Sequence, residues 1–263
     1  QNSAEIFPNT DIKGGLAVTY RDTSKHFGAI GTFTHYEELN SLANKITKRD
    51  DFIPFSDLIF NRGLYRYSDK IYQEHAYEMS FISDRRLGSN AFDKLPALFL
   101  DEKPHDGNIY VQIYGRQNNE RVYKWFRRDY LNDAQNLEKW KVIIPQANGS
   151  GAIGEVIATP LIGEPLIGHT ETFLSIGSLN SETEAKAILK YVKTKFARAA
   201  LGILKITQAN TAEKWSKVPM QDFTINSDID WSESISEIDR QLYNKYNLDK
   251  KEVVFIEEKV RAM

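Results

Sequence analysis

The sequence predicts an α+β fold in which β-hairpins precede one long helix and a helical C-terminal segment. Three observations predict it. β-rich stretches flank short polar turns, a helix-capping signal precedes a regular apolar stripe, and the segment from about residue 228 is typical of two helices separated near residues 247–249. The chain has 263 residues, 41% of them apolar, which suffices to bury a substantial core.

The first half of the chain indicates two hairpins and short helices. Residues 14–34 predict a hairpin, because GGLAVTYR and AIGTFT flank a polar turn. Residues 37–48 have the spacing of an amphipathic helix, and part of 65–82 is also helix-like. The polar stretch DEKPHDG at 101–107 predicts a loop. A second hairpin is expected at 108–126, where NIYVQIYG and RVYKWF flank RQNNE.

The second half contains two expected strands and the best-defined helix. KWKVIIP (139–145) and TFLSIGS (172–178) indicate strands on either side of a glycine-rich stretch at 148–168. Ser181 and Glu184 have the spacing of a capping box, so a helix is expected to begin there. Its apolar stripe consists of Ala185, Ile188, Leu189, Val192, Phe196, Ala199 and Ile203.

Positive side chains collect on the face of this helix opposite the apolar stripe. At about 100° per residue, that face carries Lys186, Lys190, Lys193, Arg198 and Lys205. Such a row can line a phosphate backbone, and each contact would release counterions and make binding salt-sensitive. The alternative is a solvated face that only keeps the helix soluble.

Composition narrows the possible classes of protein. The net charge is −2, so any nucleic-acid-binding surface has to be local. Without cysteine there is no disulfide or thiolate metal site, which fits a cytoplasmic protein. No apolar run reaches the roughly 20 residues of a membrane-spanning helix, and no signal peptide is visible. The chain begins with Gln1 close to a strand-like stretch, so we expect it to be part of a longer protein.

The glycine-rich stretch and the histidines match no cofactor or metal motif. NGSGAIGE lacks the Gly-Lys-Ser/Thr ending of a phosphate-binding loop. Gly149, Gly151 and Gly154 have the spacing of a dinucleotide fingerprint, but the β-like EVIATP follows where a helix is needed. A flexible or ligand-contacting loop is therefore the better interpretation. The five histidines have no metal-ligand spacing, so no metal site is predicted, and His169 suits either a structural hydrogen bond or a DNA contact.

Asp101 and Lys103 form an Asp-x-Lys pair of the kind that metal-dependent nucleases use to hold a cation and activate water. Such a site needs a further acidic residue from a neighbouring strand. The upstream candidates are Asp57, Asp84 and Asp93, and none of them lies in a sequence context that indicates such a strand. A charged turn before a proline is the simpler interpretation.

Aromatic residues alternate with cations in RVYKWFRRDY, EKWKV and EKWSKV. Flat rings can stack on bases while Lys and Arg pair with phosphates. The same cations can equally cover aromatic residues of the core. These stretches contribute Arg127, Arg128, Lys141 and Lys214 as candidate nucleic-acid contacts.

Four stretches carry a family resemblance: IFPNTDIKGGLAVTYRD, NGSGAIGEVIATPLIGEPLIGHTETFLSIGS, KYVKTKFARAALGILKITQ with KWSKVPMQDF, and the tail SDIDWSESISEIDRQLYNKYNLDKKEVVFIE. Together they resemble the C-terminal part of adenine-specific DNA methyltransferases from bacterial type II restriction–modification systems, with a TaqI-like specificity domain. The resemblance implies that residues 1–36 are a remnant of the methyltransferase sheet. It implies that residues 37–263 form a DNA target-recognition domain with a helical tail.

The same resemblance locates the chemistry elsewhere in the parent enzyme. In this family a catalytic domain binds S-adenosylmethionine and holds the flipped adenine with an Asn-Pro-Pro-Tyr motif. That motif does not occur in this sequence. We therefore expect no catalytic residue and no cofactor in this chain, and S-adenosylmethionine only in the full-length parent.

Duplex DNA and the catalytic domain of the parent chain are the partners that the resemblance implies. The basic helix becomes a candidate for phosphate contacts and the glycine-rich stretch a candidate base reader, because asparagine can pair with adenine in a bidentate way. The expected DNA-binding residues are Arg127, Arg128, Lys141, Asn148, Ser150, His169, Lys190, Lys193, Arg198, Lys205, Gln208 and Lys214. Two alternatives remain open: a metal-dependent endonuclease, and an interaction domain that docks a partner subunit through its C-terminal helices.

Overall fold

The computed structural model describes Phe7, Asn9, residues 18–26 and residues 31–263. It confirms the α+β prediction, because both helices and small sheets build the chain. The hairpin predicted at 14–34 lies partly outside the described residues. Its described part contains a turn that the Lys25 N–H closes on the Asp22 carbonyl, and residues 18–26 contain no strand.

Six strands in the described part of the chain form two three-stranded sheets. In chain order they are β1 (Tyr110–Gln117), β2 (Glu120–Arg127), β3 (Trp140–Pro145), β4 (Leu161–Gly163), β5 (Ile167–His169) and β6 (Phe173–Leu179). The first sheet has the order β2-β1-β5, with β1 antiparallel to β2 and parallel to β5. The second has the order β4-β3-β6, with β3 antiparallel to both neighbours.

The hairpin of the first sheet confirms the prediction for residues 108–126. Its strands are joined by a two-residue turn, with Gln117 opposite Glu120. The turn residues Asn118 and Asn119 have φ of 52° and 66°. Such turns need the left-handed conformation at both positions, and asparagine tolerates it better than most residues.

The strands predicted at 139–145 and 172–178 are also confirmed, as β3 and β6. β3 is buried from Lys141 to Pro145, since it is the central strand and both faces are covered. This explains why its sequence is a continuous apolar run and not an alternation. The segment EVIATP, which has a β-like sequence, forms no strand.

Eight α-helices are present among the described residues. They are α1 (Glu37–Thr47), α2 (Asp69–Glu74), α3 (Ala76–Met79), α4 (Ala91–Lys94), α5 (Glu182–Lys193), α6 (Lys195–Gly202), α7 (Ile235–Lys245) and α8 (Lys250–Lys259). The capping box at Ser181 and Glu184 is confirmed, and Asp249 with Glu252 forms a second one at the start of α8. The two predicted C-terminal helices are α7 and α8.

The long helix expected from Ser181 through the whole apolar stripe is wrong, because it breaks at Thr194. This residue has φ −59° and ψ 149°, which is not helical, and its hydroxyl caps α6 by accepting from the Ala197 N–H at 3.1 Å. The carboxylate of Asp239 accepts from the two N–H groups at the start of α6. The apolar spacing continues in phase across the break, so periodicity alone does not reveal it.

Buried side chains form two large cores and a small one between them. The larger core combines the second sheet with α1, α5, α6, α7 and α8. The other combines the β1–β2 hairpin with α2 to α4 and the loops around them. Tyr114, Ile143 and Phe173 form the small cluster, in which a residue of the first sheet meets two of the second. The candidate site lies beside this junction.

Candidate nucleic-acid interface

The predicted basic face of the long helix does not exist as one surface. The Lys190 ammonium donates to the carbonyls of residues 231–233 at 2.8 to 2.9 Å, so it anchors the chain before α7. Arg198 and Lys205 are only 2% and 6% exposed. We therefore correct the expectation that these three side chains bind DNA. Lys193 remains half-exposed in the last turn of α5.

Arg198 is buried because the helix break turns it toward the glycine-rich stretch. Its guanidinium donates only to backbone carbonyls, which belong to Lys193, Thr194, Gly154, Glu155 and Arg261. Burial lowers the pKa of Arg198 to about 10, so the side chain remains charged at neutral pH. The residue joins α6, the glycine-rich stretch and the C-terminal tail.

The glycine-rich stretch wraps around a carboxylate of its own. Glu155 accepts from the Ser150 N–H at 2.8 Å, from the Ser150 hydroxyl at 2.6 Å and from the Gly151 N–H at 3.0 Å. Lys205 lies 3.6 Å from the same carboxylate and donates to the Asn148 carbonyl. Burial alone would raise the pKa of Glu155, but these hydrogen bonds and the nearby ammonium outweigh it and lower the pKa to about 2.

The structure consequently does not favour Asn148 and Ser150 as base readers. The Asn148 amide donates to the Val156 carbonyl and accepts from the Ala158 N–H, both at 2.6 Å. The Ser150 hydroxyl is bound to Glu155. Both side chains hold the loop together, and the N–H groups that could have bound an external anion are already occupied.

Lys141 and His169 are buried as well, which corrects two more expected DNA contacts. The Lys141 ammonium donates to the carbonyls of Leu137, Glu164 and Ile167 at 2.8 to 3.3 Å, while burial lowers its pKa to about 7. Burial lowers the pKa of His169 to about 4, so the ring is neutral at pH 7. Its Nδ1 donates to the Thr170 carbonyl, and its Nε2 accepts from the Ser175 hydroxyl.

Arg127 and Arg128 are half-buried and neutralised by neighbouring carboxylates. Arg127 pairs with Glu74 and Asp129, and Arg128 pairs with Asp133 and more distantly with Glu138. Such pairs leave little charge for a phosphate, so the structure does not favour these two arginines as DNA contacts. Gln208 is exposed and Lys214 is half-exposed, so both remain accessible.

A polar groove lies where the β1–β2 hairpin meets the ends of β3 and β6. Sequence reasoning missed it, because its walls come from segments far apart in the chain. The main cavity has a volume of about 570 Å³. It is lined by Arg62, Ser89, Asp93, Arg116, Gln117, Asn118, Asn119, Arg121, Pro145, Gln146, Ala147, Glu171, Thr172 and Phe173. We call this cavity and the space adjoining it the hairpin groove.

The adjoining space shares Ser89 and Glu171 with the main cavity and has a volume of about 200 Å³. It adds Arg86 and Lys94 to the walls, together with Asp84. The groove as a whole thus carries five cationic side chains against three carboxylates. The chain has a net negative charge, so this excess of cations is a local feature.

Internal ion pairs use some of these charges but not all of them. Glu171 lies 3.0 Å from the Arg86 guanidinium and 3.6 Å from that of Arg62. By contrast, within the described part of the chain neither Arg116 nor Arg121 pairs with a carboxylate. Arg116 contacts only the backbone and side-chain oxygens of Asn119, at 3.3 to 3.4 Å. Arg121 reaches the carbonyls of residues 158 and 159 at 3.5 Å and lies over the Phe173 ring.

The residues considered for a nuclease site are engaged by side chains of β2. Asp101 forms an ion pair with Lys124 of β2, and the Lys103 ammonium lies 5.5 Å from the centre of the Trp125 ring. In residues 18–26 and 31–263, no three acidic or histidine side chains are grouped so that they could hold a metal ion. None of the helices described here has the length and apolarity to span a membrane.

Comparison with known proteins gives no match. No family model, curated protein or solved structure is significantly similar to this chain. The geometry of the groove is therefore the main argument for a function.

Proposed function

We propose that this chain binds duplex DNA through the hairpin groove and serves as the target-recognition part of a restriction–modification adenine methyltransferase. The groove supports the DNA-binding part of this proposal. The sequence resemblance supports the enzyme class, in which a separate catalytic domain would bind S-adenosylmethionine and hold the target adenine.

One observation carries the proposal: Arg116 and Arg121 line the groove without a carboxylate partner in the described chain. Arginine forms two parallel hydrogen bonds with phosphate oxygens, and an arginine that is not already neutralised gains most from such a contact. The turn that joins the two arginines carries amide side chains that also line the groove and can pair with base edges. Phosphate positioning and base reading thus share one surface.

The character of the groove favours a nucleic acid over a small apolar ligand. Sites for small molecules are lined mostly by apolar and aromatic side chains. Only Pro145, Ala147 and Phe173 among the lining residues of the main cavity are apolar. A polar, positively charged groove is the surface that a phosphate backbone requires.

Gln208 extends this surface beyond the groove. The segment 206–208 is exposed and lies beside Ala147 of the groove wall, because the Asn148 N–H donates to the Gln208 carbonyl and the Asn210 N–H donates to the Gln146 carbonyl. Among the DNA-binding residues expected from the sequence, Gln208 is therefore the best placed to contact DNA bound at the hairpin groove.

The test is the salt dependence of binding to duplex DNA. We expect wild-type protein to bind with an affinity that falls steeply with salt. Replacing Arg116 and Arg121 together by alanine should lower the slope of log affinity against log salt by roughly 1.8, since each phosphate contact contributes about 0.9. Arg240→Ala is a matched control, because this exposed arginine of α7 lies outside the groove and pairs with Glu237 of its own helix.

The double variant should keep the wild-type melting temperature, because both arginines are exposed. An unchanged slope and affinity in a folded double variant would remove the hairpin groove from the DNA interface. Failure of the wild-type protein to bind any duplex would overturn the proposed function itself.

A further inference from the structure

The tip of the β1–β2 hairpin projects beyond the sheet. β5 pairs with β1 only from Gln112 to Tyr114, so the rest of the hairpin has no strand beside it on that edge. Residues 118–121 are exposed, and Arg116 on the opposite strand is exposed too. A projecting two-stranded ribbon has the dimensions of an element that enters the major groove of B-DNA, about 12 Å wide.

Turn geometry and a side-chain contact also favour one conformation of the tip. A two-residue turn with positive φ at both positions matches the right-handed twist of the strands. The Arg116 guanidinium donates across the turn to the backbone and side-chain oxygens of Asn119. A tip ordered before binding loses less conformational freedom when it meets a partner.

Two side chains of this tip have unused hydrogen-bonding groups. Among the hydrogen bonds of the described residues, none involves the side-chain amide of Gln117 or Asn118. Asn148, in contrast, has both ends of its amide engaged within its own loop. The free amides line the same groove as the two unpaired arginines, which face each other across the hairpin. An amide has adjacent donor and acceptor groups, which match the N6 amino group and N7 of adenine in the major groove.

We propose that the hairpin tip is the base-reading element and that Asn118, assisted by Gln117, recognises adenine in the major groove. This inference rests on the proposed function, because it requires DNA in the hairpin groove. Arg116 and Arg121 flank the tip and hold the backbone, so affinity and specificity come from different side chains.

The experiment is a selection from a duplex library with a randomised core. Wild-type protein should enrich a motif that contains adenine. Asn118→Gly should lose the preference at one adenine position by roughly 5- to 150-fold, the range for a bidentate contact, and keep its salt dependence. Glycine is the correct replacement, because it removes the amide yet accepts the positive φ. Gln117→Ala tests the proposed assisting role of Gln117 in the same selection.

Asn226→Ala is the matched control, since this asparagine is exposed and lies outside the groove. A second measurement addresses the contact directly. Replacing the selected adenine by 7-deazaadenine removes the N7 acceptor, so it should weaken wild-type binding but leave Asn118→Gly unaffected.

The outcomes separate the two proposals. Binding of the wild type without any enriched motif, or the same motif in wild type and Asn118→Gly, overturns the reading role and leaves DNA binding intact. No binding of any duplex overturns both.

Discussion

The carboxylate of Asp239 on α7 accepts a 2.8 Å hydrogen bond from the backbone N–H of Phe196, in the first turn of α6. It also accepts from the Lys195 N–H at 3.0 Å. The start of α6 is thus capped by its own Thr194 and by a buried carboxylate from another helix. This contact stabilises the break that separates α5 from α6.

We predict that Asp239 makes stability fall as pH rises. Burial raises the pKa of Asp239 from 3.8 to about 6, so the folded state binds the proton more strongly than the unfolded state. The stabilisation is therefore full below pH 3.8 and is lost as pH rises through about 6, a change of roughly 3 kcal/mol. Urea unfolding of wild type and Asp239→Asn at a series of pH values, from about 3.5 to about 7, measures this change in the free energy of unfolding. A difference between the two proteins that does not vary with pH would contradict this account.

His169 should have the opposite effect on the pH dependence of stability, because its contribution is lost as pH falls and not as pH rises. Burial lowers its pKa from 6.5 to about 4, so its contribution to stability is full above pH 6.5 and is lost as pH falls through about 4. The expected loss is roughly 3 kcal/mol. Unfolding free energies of His169→Gln should lack this acid-induced loss, whereas the exposed control His105→Gln should retain it. Equal pH profiles of the two variants would be evidence against it.

Arg198 is expected to matter for stability and not for DNA binding. Replacing it by methionine leaves buried backbone carbonyls without a donor, which should cost at least about 1–3 kcal/mol. Arg240→Ala on the surface should change stability by less than about 0.5 kcal/mol. Chemical denaturation compares the two variants. A fully stable Arg198→Met with a reduced salt slope would restore this arginine to the DNA interface.

The glycine-rich stretch should tolerate no side chain at Gly151. This residue has φ +94°, and a Cβ there would lie 2.4 Å from backbone atoms of Ile206 and Thr207. Gly107 has a similar φ of +83° with open space around it. We expect Gly107→Ala to cost about 1 kcal/mol from backbone strain alone, and Gly151→Ala to cost clearly more. Thermal unfolding of both variants provides the comparison, and equal losses would show that the loop can move.

S-adenosylmethionine is expected to have no effect on this chain. The Asn-Pro-Pro-Tyr motif does not occur in the sequence, and the family resemblance implies that the cofactor site lies in another domain. Addition of the cofactor should neither raise the melting temperature nor produce methylated adenine in duplex DNA. A clear thermal shift would place a cofactor site within these residues.

Elements governed by neighbouring residues were predictable. The capping box at Ser181 and Glu184 involves groups three residues apart, and the turn at Asn118 and Asn119 depends on two residues and their flanking strands. The helix break at Thr194 has a weak local signal, because threonine is a common N-cap residue and here its hydroxyl accepts from the Ala197 N–H. Its neighbouring apolar residues continued the helical spacing and concealed it.

The candidate site was not predictable in the same way. Charged residues at helical spacing suggested a basic face, yet the structure buries Arg198 and uses Lys190 to anchor another segment. Burial of a cation depends on which carbonyls surround it, and for Arg198 one of these comes from Arg261, 63 residues away. Spacing along one helix holds no information about such partners.

The sequence by itself determined several local elements: the strands β1, β2, β3 and β6, the capped start of α5 and the tight turn of the hairpin. It did so because propensity, capping and turn geometry act between residues a few positions apart. Only the tertiary structure decided which cations are exposed and which loops meet in a groove. Arg62, Arg121 and Glu171 line one cavity although they lie far apart in the sequence, and a surface assembled from distant segments exists only once the chain has folded.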